Sequence, residues 1–273
     1  MPELPEVEVL RRSLEPRVVG ARIESVQVWN SDLREPANRR QLSACRQRRI
    51  IGARRRAKYL LLDLEGDRTL VIHLGMSGRL TLVPTNAPRE LHEHVAFHLD
   101  SQQRLRFRDT RRFGLVLVRQ TRGLERDRHL AHLGLEPLGE GLTGDALRQR
   151  ARGRRGPVKN FLMDGRIVVG VGNIYAAESL HRARIHPRRS VARISKGRWE
   201  RLAGAIQQTL TEAIDQGGTT LNDFADVSGE AGYFRVSLCV YDRAGNPCPR
   251  CGGTVRRIVQ GGRSTFYCPG CQR

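Results

Sequence analysis

Lysine is scarce in this chain, although basic residues are abundant. Only three of the 48 Lys and Arg residues are lysines, at Lys58, Lys159 and Lys196. Arginine cannot serve where a compact, titratable amine is required, because its guanidinium stays protonated. Lys58 and Lys159 are therefore candidate functional residues. The alternative is that three lysines remain by chance.

Long apolar runs are also missing. No stretch approaches the ~18 residues needed to span a bilayer. Residues 1–20 contain four glutamates and lack the basic start and apolar stretch of a secretory signal. We therefore expect a cytoplasmic protein. The hydrophobic fraction of 39% over 273 residues indicates a globular chain, long enough for one large domain or two to three smaller ones.

Positive charge dominates the composition. Lys and Arg number 48 against 28 Asp and Glu, which gives a formal net charge of +20. Such an excess attracts polyanions, so nucleic acid is the favoured partner. An anionic membrane surface is a weaker alternative, because no long basic amphipathic helix is evident. A basic surface without any function is the remaining alternative.

Four of the six cysteines follow the spacing C-x2-C-x16-C-x2-C. Two pairs of closely spaced thiolates are typical of a zinc ribbon with tetrahedral coordination. Disulfides are the alternative, but a cytoplasmic chain argues against them. The set contains no histidine and implies no open coordination position, so we expect one structural zinc ion. Its ligands are Cys248, Cys251, Cys268 and Cys271, whereas Cys45 and Cys239 are expected to be ordinary buried thiols.

A β-hairpin is predicted between the two cysteine pairs. Residues 254–267 read TVRRIVQGGRSTFY, with alternating strands on both sides of Gly261 and Gly262. Two glycines at this position favour a two-residue hairpin turn. Arg263 follows the turn directly, so a zinc-bound hairpin would hold this arginine in a fixed place. Alternatively, Arg263 is one more exposed arginine among many.

Short strands are predicted from residue 22 to residue 119. Closely spaced apolar segments separated by Gly and Pro turns are typical of an antiparallel sandwich or barrel. Ahead of them, residues 4–16 predict a helix, because Val7, Leu10 and Leu14 share one face and Pro5 suits a first helical turn. The clearest strands are 59–66, 69–74, 79–83, 94–100, 104–109 and 113–119.

The pattern becomes helical after about residue 121. Residues 130–142 contain Gly and Pro and predict a linker with a turn. The last predicted helix has an apolar stripe that includes Trp199, Leu202 and Ile206. Helices are predicted around 145–151, 158–164, 174–183 and 197–216.

The stretch VVGVGNIYAAESL, residues 168–180, resembles a phosphate-binding loop. It fails as a dinucleotide fingerprint, because Tyr175 occupies the third glycine position. A tight turn leading into a helix is the better interpretation, with Asn173 near the helix start. Backbone N–H groups at such a helix end bind phosphate, and Lys159 lies upstream, where it could bind the same nucleic-acid backbone.

Two Gly-containing turns carry residues suited to insertion into a base stack. HLGMSGRL places Met76 in one turn, and TRRFG places Arg111 and Phe113 in another. Proteins that distort duplex DNA push apolar or aromatic side chains between bases. Ordinary packing is the alternative for each residue.

PELPEVE at the amino end fits a helix start but leaves Pro2 and Glu3 unexplained, because both precede the helix. Taken with HLGMSG, RRFG, VVGVGNIYA and the four-cysteine ribbon, it closely resembles the formamidopyrimidine-DNA glycosylase family. Members of that family are bacterial base-excision enzymes for oxidised purines such as 8-oxoguanine. The resemblance covers the whole chain, with the motifs in the expected order.

The resemblance implies a bifunctional DNA glycosylase and AP lyase. After removal of the initiator methionine, Pro2 would carry a free secondary amine that attacks C1′ of the damaged nucleotide. Glu3 is implied to be the general acid that assists sugar-ring opening, with Glu6 in the surrounding hydrogen-bond network. Lys58 is implied to contact phosphate and donate a proton in β-elimination. Arg263 is implied to grip the phosphates of the flipped nucleotide and to act in δ-elimination.

The resemblance also implies how DNA is held. One set of side chains fills the void left by the extruded base, and another set contacts the DNA backbone. The void-filling residues are Met76, Arg111 and Phe113. The residues that contact the DNA backbone are His92, Arg111, Arg154, Lys159 and Asn173. Of these, Lys159 and Asn173 belong to a helix-two-turn-helix phosphate site.

The implied fold is an α+β multidomain protein. It has an N-terminal antiparallel β-sandwich with flanking helices, a helix-two-turn-helix domain and a C-terminal zinc-ribbon hairpin. The boundaries are 1–125 for the catalytic domain, 126–142 for a linker, 143–234 for the helical domain with a lesion-capping loop, and 235–273 for the zinc finger. The implied partner is double-stranded DNA with an oxidised base. A bacterial monomer is expected, cytoplasmic and associated with the nucleoid when acting on DNA, without membrane attachment or a small-molecule cofactor.

Small departures from the family pattern leave two alternatives open. Thr110 stands where proline is common before RRFG, and Ala231 stands where proline is frequent in the capping loop, residues 222–234. One alternative is an endonuclease VIII-type enzyme for oxidised pyrimidines, but those begin with PEGPE, so Leu4 favours the purine enzyme. The other is a DNA binder without catalysis, which the intact set of catalytic residues disfavours.

Overall fold

The computed structural model describes residues 2–218 and 238–273, so the predicted capping loop at 222–234 lies outside the described residues. The chain divides into two compact units. The first comprises the described residues up to Ala131 together with Gln216, Gly217 and Gly218. The second comprises His132–Asp215 and the described residues from Leu238 onward. The boundary between Ala131 and His132 falls within the predicted linker.

The amino-terminal helix α1 spans Leu4–Val18. Glu3 precedes it as the N-cap and forms a capping box with Glu6, which satisfies backbone donors that a helix start leaves open. Leu10 and Leu14 lie one turn apart on the buried face. The helix predicted over residues 4–16 is therefore confirmed and continues for two more residues.

Eight strands form one antiparallel sheet in the order β5-β7-β6-β1-β2-β3-β4-β8. Strands β1 and β2 are joined by only two residue pairs, Arg22↔Arg49 and Ile23↔Arg48. The sheet therefore consists of two four-stranded halves that meet at a narrow seam. The strands are β1 (Arg22–Val28), β2 (Arg48–Arg56), β3 (Tyr59–Leu64), β4 (Arg68–His73), β5 (Gly78–Pro84), β6 (Glu93–Leu99), β7 (Gln103–Asp109) and β8 (Leu115–Gln120), with a short helix α2 (Arg39–Ser43) before β2.

Side chains from both half-sheets form a single hydrophobic core. Phe97 and Phe107 come from one half and Leu62 and Ile72 from the other, and all four are at most 1% exposed. A core shared by two half-sheets is what a β-sandwich requires, so the predicted antiparallel sandwich is confirmed. Cys45 lies in the same core, where burial raises its pKa to about 12, as expected of an ordinary buried thiol.

The second unit is mostly helical. The predicted apolar stripe of its longest helix is buried, and Trp199 on that stripe packs against the Phe161 ring with centroids 5.6 Å apart. Among the described residues, no helix combines the length and the apolar character needed to cross a bilayer. The helices are α3 (Gly144–Ala151), α4 (Val158–Leu162), α5 (Asn173–Arg182) and α6 (Lys196–Asp215).

The predicted hairpin is present near the end of the second unit. Strands β9 (Arg256–Gln260) and β10 (Arg263–Tyr267) pair antiparallel, and Arg263 pairs directly with Gln260. Gly261 and Gly262 both adopt positive φ, at 58° and 72°. Positive φ at both central residues is the type I′ geometry that matches strand twist, and it explains why two glycines occupy this turn.

Candidate active site

The amino end of the first unit is buried and polar. Pro2 is buried ahead of α1, and Glu3 and Glu6 are only 3% and 2% exposed. The Glu3 backbone N–H donates to Glu6 Oε2 at 2.7 Å. Two carboxylates at a helix start are stabilised by the helix dipole. This arrangement fixes the backbone immediately after Pro2 and surrounds it with groups that can accept and return protons.

A third glutamate connects α1 to the turn that carries Lys58. Glu8 Oε2 accepts a bond from Arg55 Nε at 3.0 Å, and Arg55 Nη1 donates to the Ala57 carbonyl at 3.0 Å. Burial would raise the pKa of Glu8, but the bonds and charges of Arg11 and Arg55 outweigh it and hold that pKa below its usual value. Glu8 and Arg55 thereby fix the two-residue turn between β2 and β3, where Lys58 is half-buried.

Topology brings the three predicted void-filling residues together. Strand β4 pairs with β8, and β5 pairs with β7, so the β4–β5 and β7–β8 connections cross between the half-sheets side by side. The first connection carries Met76, which is half-buried, and the second carries Arg111 and Phe113, which are exposed. Phe113 is 47% exposed, and the Arg111 guanidinium lies 5.0 Å from its ring centroid. A Cβ on Gly75 would lie 2.4 Å from the Phe113 backbone, so only glycine permits this close approach.

A buried carboxylate that sequence reasoning missed ties the two connections to each other. Asp109 is fully buried at the end of β7. Its Oδ1 accepts from Ser77 Oγ at 2.6 Å and from the Arg111 N–H at 3.3 Å, and its Oδ2 accepts from the Gly114 N–H at 2.7 Å. One side chain therefore fixes the residue after Met76 and the backbone on both sides of Phe113.

Two histidines border the same connections. His73 Nδ1 accepts the Gly75 N–H at 3.0 Å, which requires that nitrogen to be unprotonated. Burial first, and then the charge of Lys58, lower the pKa of His73 to about 3, so the acceptor persists at neutral pH. His92, a predicted DNA contact, is half-buried at φ 64°, and its carbonyl accepts the Asp109 N–H at 3.0 Å.

In the second unit, the structure places a buried Lys159 beside a half-buried Asn173. Lys159 is 1% exposed, and its Nζ donates to Asn173 Oδ1 and, at 2.7 Å, to Thr265 Oγ1. Asn173 Nδ2 donates to the Ser264 carbonyl at 3.0 Å. These bonds link α4, α5 and β10, because both side chains are bonded to the strand that begins with Arg263. The phosphate contacts of Lys159 and Asn173 remain a prediction.

Arg263 itself is exposed at the first position of β10. The hairpin beside it is held by α4, since Gln260 Nε2 donates to Asn160 Oδ1 at 2.9 Å. Contacts from both strands of the hairpin therefore hold the backbone next to Arg263 in place. Arg154, the other basic residue predicted in this unit, is exposed and lies 3.8 Å from Asp164 Oδ2.

The four predicted metal ligands converge at one point. Their sulfur atoms all lie within 4.8 Å of one another, with Cys248–Cys271 at 3.9 Å and Cys251–Cys268 at 3.4 Å. A tetrahedral zinc ion with Zn–S bonds of ~2.3 Å places its sulfurs about 3.8 Å apart. The four thiols therefore fit one zinc ion, and Cys239 lies outside the cluster.

Helix α5 supports the metal module with two further side chains. His181 Nε2 lies 3.3 Å from Cys248 Sγ, and burial, followed by the charges of Arg250 and Arg182, lowers its pKa to about 4. With its proton on Nε2, the neutral ring can donate to the sulfur. Glu178 accepts the N–H groups of residues 239–241 at 2.8–3.0 Å. Burial raises the pKa of Glu178, although these three bonds oppose it.

The residues that were not predicted from the sequence share one property: each of them positions another residue. Asp109, Glu178 and His181 bind backbone groups or a metal ligand, and only Glu178 lies within a stretch that the sequence analysis singled out, residues 168–180. The only signal for Asp109 is its position directly before TRRFG at a strand end. Glu178 and His181 carry the weaker signal of polar residues on the buried face of a helix.

These features define a class: helix-two-turn-helix proteins that combine an antiparallel β-sandwich with a C-terminal zinc finger. Three family models match in that order. The formamidopyrimidine-DNA glycosylase N-terminal domain matches residues 1–116, the formamidopyrimidine-DNA glycosylase H2TH domain matches residues 133–225, and the zinc finger found in FPG and IleRS matches residues 245–273. The chain belongs to the formamidopyrimidine-DNA glycosylase family, and its four thiols form the site of one structural zinc ion.

Proteins named formamidopyrimidine-DNA glycosylase match this chain over their full length. The formamidopyrimidine-DNA glycosylases of Burkholderia thailandensis and Acidithiobacillus ferrooxidans are 49% and 50% identical, with 100% of each chain covered. A solved structure of the Lactococcus lactis FPG (MutM), in complex with a Fapy-dG containing DNA, has a TM-score of 0.91 at 32% identity and covers 99% of this chain and 100% of that one. The MutM (FPG) protein of Thermus thermophilus has a TM-score of 0.88 at 39% identity, covering 99% of this chain and 98% of that one.

Proposed function

We propose that this chain is a base-excision DNA glycosylase and AP lyase that removes oxidised purines, such as 8-oxoguanine and formamidopyrimidines, from duplex DNA. The observation that carries the proposal is the position of Pro2 directly before a buried pair of carboxylates, Glu3 and Glu6, in a chain of this family. The solved relatives bound to Fapy-dG DNA and abasic-site DNA support the same substrate class.

Pro2 is the proposed nucleophile. Once the initiator methionine is removed, its secondary amine has an α-amino pKa, roughly 7.7–8.0 against ~10.4 for lysine, so more of it is neutral and nucleophilic at physiological pH. The nitrogen forms a bond to C1′ while the bond from C1′ to the base breaks, and the base leaves with a proton. Glu3 donates a proton to the ring oxygen as the sugar opens. The product is an iminium ion between Pro2 and C1′.

Strand cleavage follows from the charge of that iminium ion. It withdraws electrons from C2′, so a C2′ proton is lost and the 3′ phosphate leaves in β-elimination. Lys58, held by the Glu8–Arg55 link, is the proposed proton donor and phosphate contact for this step. Arg263, exposed at the hairpin, is proposed to hold the phosphates of the flipped nucleotide and to assist loss of the 5′ phosphate in δ-elimination.

The damaged nucleotide must leave the base stack, because C1′ and the base are inaccessible within it; extrusion costs a few kcal/mol. We assign Met76, Arg111 and Phe113 to the resulting void. Their exposure and mutual proximity support that role, and Arg111 can also donate to the orphaned cytosine. His92 and Arg154 are the proposed backbone contacts in the two units.

Lys159 and Asn173 are proposed to act on phosphate together with Arg263. Because they already bind Ser264 and Thr265, their main contribution is to fix the start of β10 next to Arg263. The domain division proposed from sequence, 1–125, 126–142, 143–234 and 235–273, assigns this set to the helical domain and the zinc finger. We further propose that the protein acts as a monomer in the bacterial cytoplasm, on nucleoid DNA.

Borohydride trapping tests the nucleophile. Reduction of the iminium ion should link the protein covalently to DNA that contains 8-oxoguanine opposite cytosine. Pro2→Gln should abolish the adduct while damaged-duplex affinity changes less than threefold. Pro5→Ala, a proline substitution in the same motif, is the matched control and should trap normally. A normal adduct yield from Pro2→Gln would refute the assignment.

Oxidised pyrimidines are the second candidate substrate class. One solved relative, the Lactococcus lactis FPG, is bound to an oxidised pyrimidine containing DNA. The two substrate classes are distinguished by excision rates from matched duplexes, one with 8-oxoguanine and one with an oxidised pyrimidine. We expect the purine duplex to be cleaved faster, and the reverse ranking would favour the endonuclease VIII-type alternative.

A further inference from the structure

Arginine side chains surround two adjoining cavities in the second unit. The first has a volume of about 560 Å³ and is lined by Arg184, Arg198, Arg201 and Arg250 beside the cysteine cluster. The second has a volume of about 580 Å³ and is lined by Arg188, Arg189 and Arg193. Arg273 lines both cavities. We call these eight residues together the arginine cleft.

Within the described residues, no Asp or Glu side chain forms an ion pair with an arginine of the cleft. Ion pairs of the second unit involve other cations, namely Arg154, Arg166, Arg182 and Lys196. The guanidinium groups of the cleft that form hydrogen bonds donate to main-chain oxygens, as Arg189 does to the Arg193 carbonyl at 3.3 Å and Arg198 to a terminal oxygen of Arg273 at 3.3 Å. Burial first, and then the charges of Arg189 and Arg201, lower the pKa of Arg198.

The first cavity of the arginine cleft lies at the opposite end of the zinc hairpin from Arg263. The second lies nearer the turn, because Pro187, between its lining residues His186 and Arg188, accepts a bond from Gln260 Nε2 at 3.2 Å. Cys251 and Cys271 line the first cavity, whereas Arg263 follows the turn at the other end of the two strands. Strands β9 and β10 have five residues each, and five residues of a strand extend about 17 Å at roughly 3.4 Å per residue. The first cavity is therefore separate from the surface that presents Arg263.

We propose that the first cavity of the arginine cleft binds the phosphodiester backbone of a second DNA duplex while the first duplex occupies the catalytic surface. Planar guanidinium groups bind phosphate oxygens in bidentate fashion, and the five that line this cavity match a row of phosphates better than a single anion. The choice of DNA as the polyanion rests on the proposed function. Such a site would let one enzyme molecule contact a neighbouring duplex before releasing the first.

The test uses the full-length zinc-loaded protein and two labelled duplexes. A duplex with a stable abasic analogue first saturates the catalytic surface, and an undamaged 20-base-pair duplex with a second fluorophore is then titrated. Anisotropy gives the affinity of the second duplex, and analytical ultracentrifugation gives the stoichiometry. Wild-type protein should form a complex of one protein with both duplexes, with an affinity that falls steeply as salt rises.

The variant R184Q/R198Q/R201Q should bind the second duplex at least tenfold more weakly. Its slope of log affinity against log salt should fall by about two to three, as expected for roughly three lost phosphate contacts. The charge-matched control R40Q/R46Q/R126Q removes three exposed arginines of the first unit and should change the second affinity less than twofold. Zinc content and single-turnover excision should stay at wild-type values in both variants.

Three outcomes would overturn the inference. The first is that the wild-type protein binds only one duplex. The second is that the variant and the wild type bind the second duplex with equal affinity. The third is that single-stranded RNA displaces the second duplex at a tenfold lower concentration than DNA does, which would assign the cleft to RNA. Failure of the proposed function is distinct, because it appears as absent excision by the wild-type protein, whereas failure of this inference leaves excision intact.

Discussion

The two units hold their functional side chains by different means. In the first unit, a large hydrophobic core shared by two half-sheets supports the loops, and hydrogen bonds from buried residues fix the loop tips. In the second, the hairpin that carries Arg263 rests on a cluster of only six buried residues, two of which, Cys248 and Cys268, are metal ligands. Small modules of this kind depend on their metal, because they bury too little apolar surface to fold otherwise.

The difference implies that the two units respond to different perturbations. Removing metal should affect the hairpin and leave the sandwich intact, because the sandwich contains no ligand of the cluster. Removing a buried hydrogen-bond acceptor should affect the loops of the sandwich and leave the metal site intact. The following tests show whether each unit responds only to its own perturbation or whether a change in one unit also affects the other.

Loss of zinc should have the largest effect. Cys251→Ser removes one of four ligands and should lower the affinity for damaged duplex by roughly 100-fold, or about 2.7 kcal/mol, because the Arg263 hairpin loses its support. Hydrogen exchange of β3 and β4 in the first unit should not change. Cys239→Ser, which removes a cysteine outside the cluster, is the control and should keep both zinc and affinity. Normal DNA affinity in a verified zinc-free protein would contradict the dependence on metal.

Replacement of Asp109 should have an intermediate effect. Asp109→Asn leaves fewer acceptors for the Ser77 hydroxyl and the Gly114 N–H, and an unsatisfied buried group costs ~1–3 kcal/mol. We expect 8-oxoguanine excision to slow about tenfold, with zinc content unchanged. The fluorescence of 2-aminopurine next to the lesion should show less base extrusion, which a general loss of stability would not cause.

A matched control for Asp109 lies at the end of β6. Asp100 also accepts a backbone N–H, from Arg22 at 2.9 Å, but it is exposed. Asp100→Asn should therefore leave base extrusion and excision within twofold of wild type. If Asp109→Asn extrudes the base as efficiently as Asp100→Asn, the carboxylate does not position the loop tips.

Acid should lower the free energy of unfolding without changing the DNA-binding residues, and this effect should be specific to His73. Because burial lowers its folded-state pKa from 6.5 to about 3, the unfolded chain binds more protons between those values. The contribution of neutral His73 is fully present above about pH 6.5 and is lost as the pH falls toward 3. Between pH 8 and pH 5 the free energy of unfolding should drop by about 2 kcal/mol from this group.

Denaturant unfolding of wild type and His73→Asn at both pH values measures that contribution. The Asn side chain can accept the Gly75 N–H but does not titrate, so the drop between pH 8 and pH 5 should shrink by about 2 kcal/mol in the variant. Both proteins carry the same zinc site, so any loss of metal in acid cancels in the difference. His132→Asn, at an exposed position, should keep the wild-type drop; an equal drop in His73→Asn would contradict the role of His73.

Local structure was largely predictable from sequence. The strands between residues 59 and 119, the Gly261–Gly262 turn and the cysteine cluster follow from periodicity and spacing, which depend on neighbouring residues. The burial of Lys159 could not be predicted, because it depends on Ser264 and Thr265, more than 100 positions away. Asp109 was missed for the same reason, because its partners lie on two connections that only the sheet order brings together. Long-range pairing of this kind leaves no periodic signal in the sequence.

Helix α5 carries Asn173 at its start, Glu178 in its middle and His181 near its end, and each residue must face a different partner. One inserted residue would rotate everything after it by about 100° around the helix axis. An insertion before Glu178 would therefore turn two side chains away from their partners at once. The contacts of helix α5 therefore depend on its length, and an inserted residue should be tolerated better in residues 126–142 than within the helix.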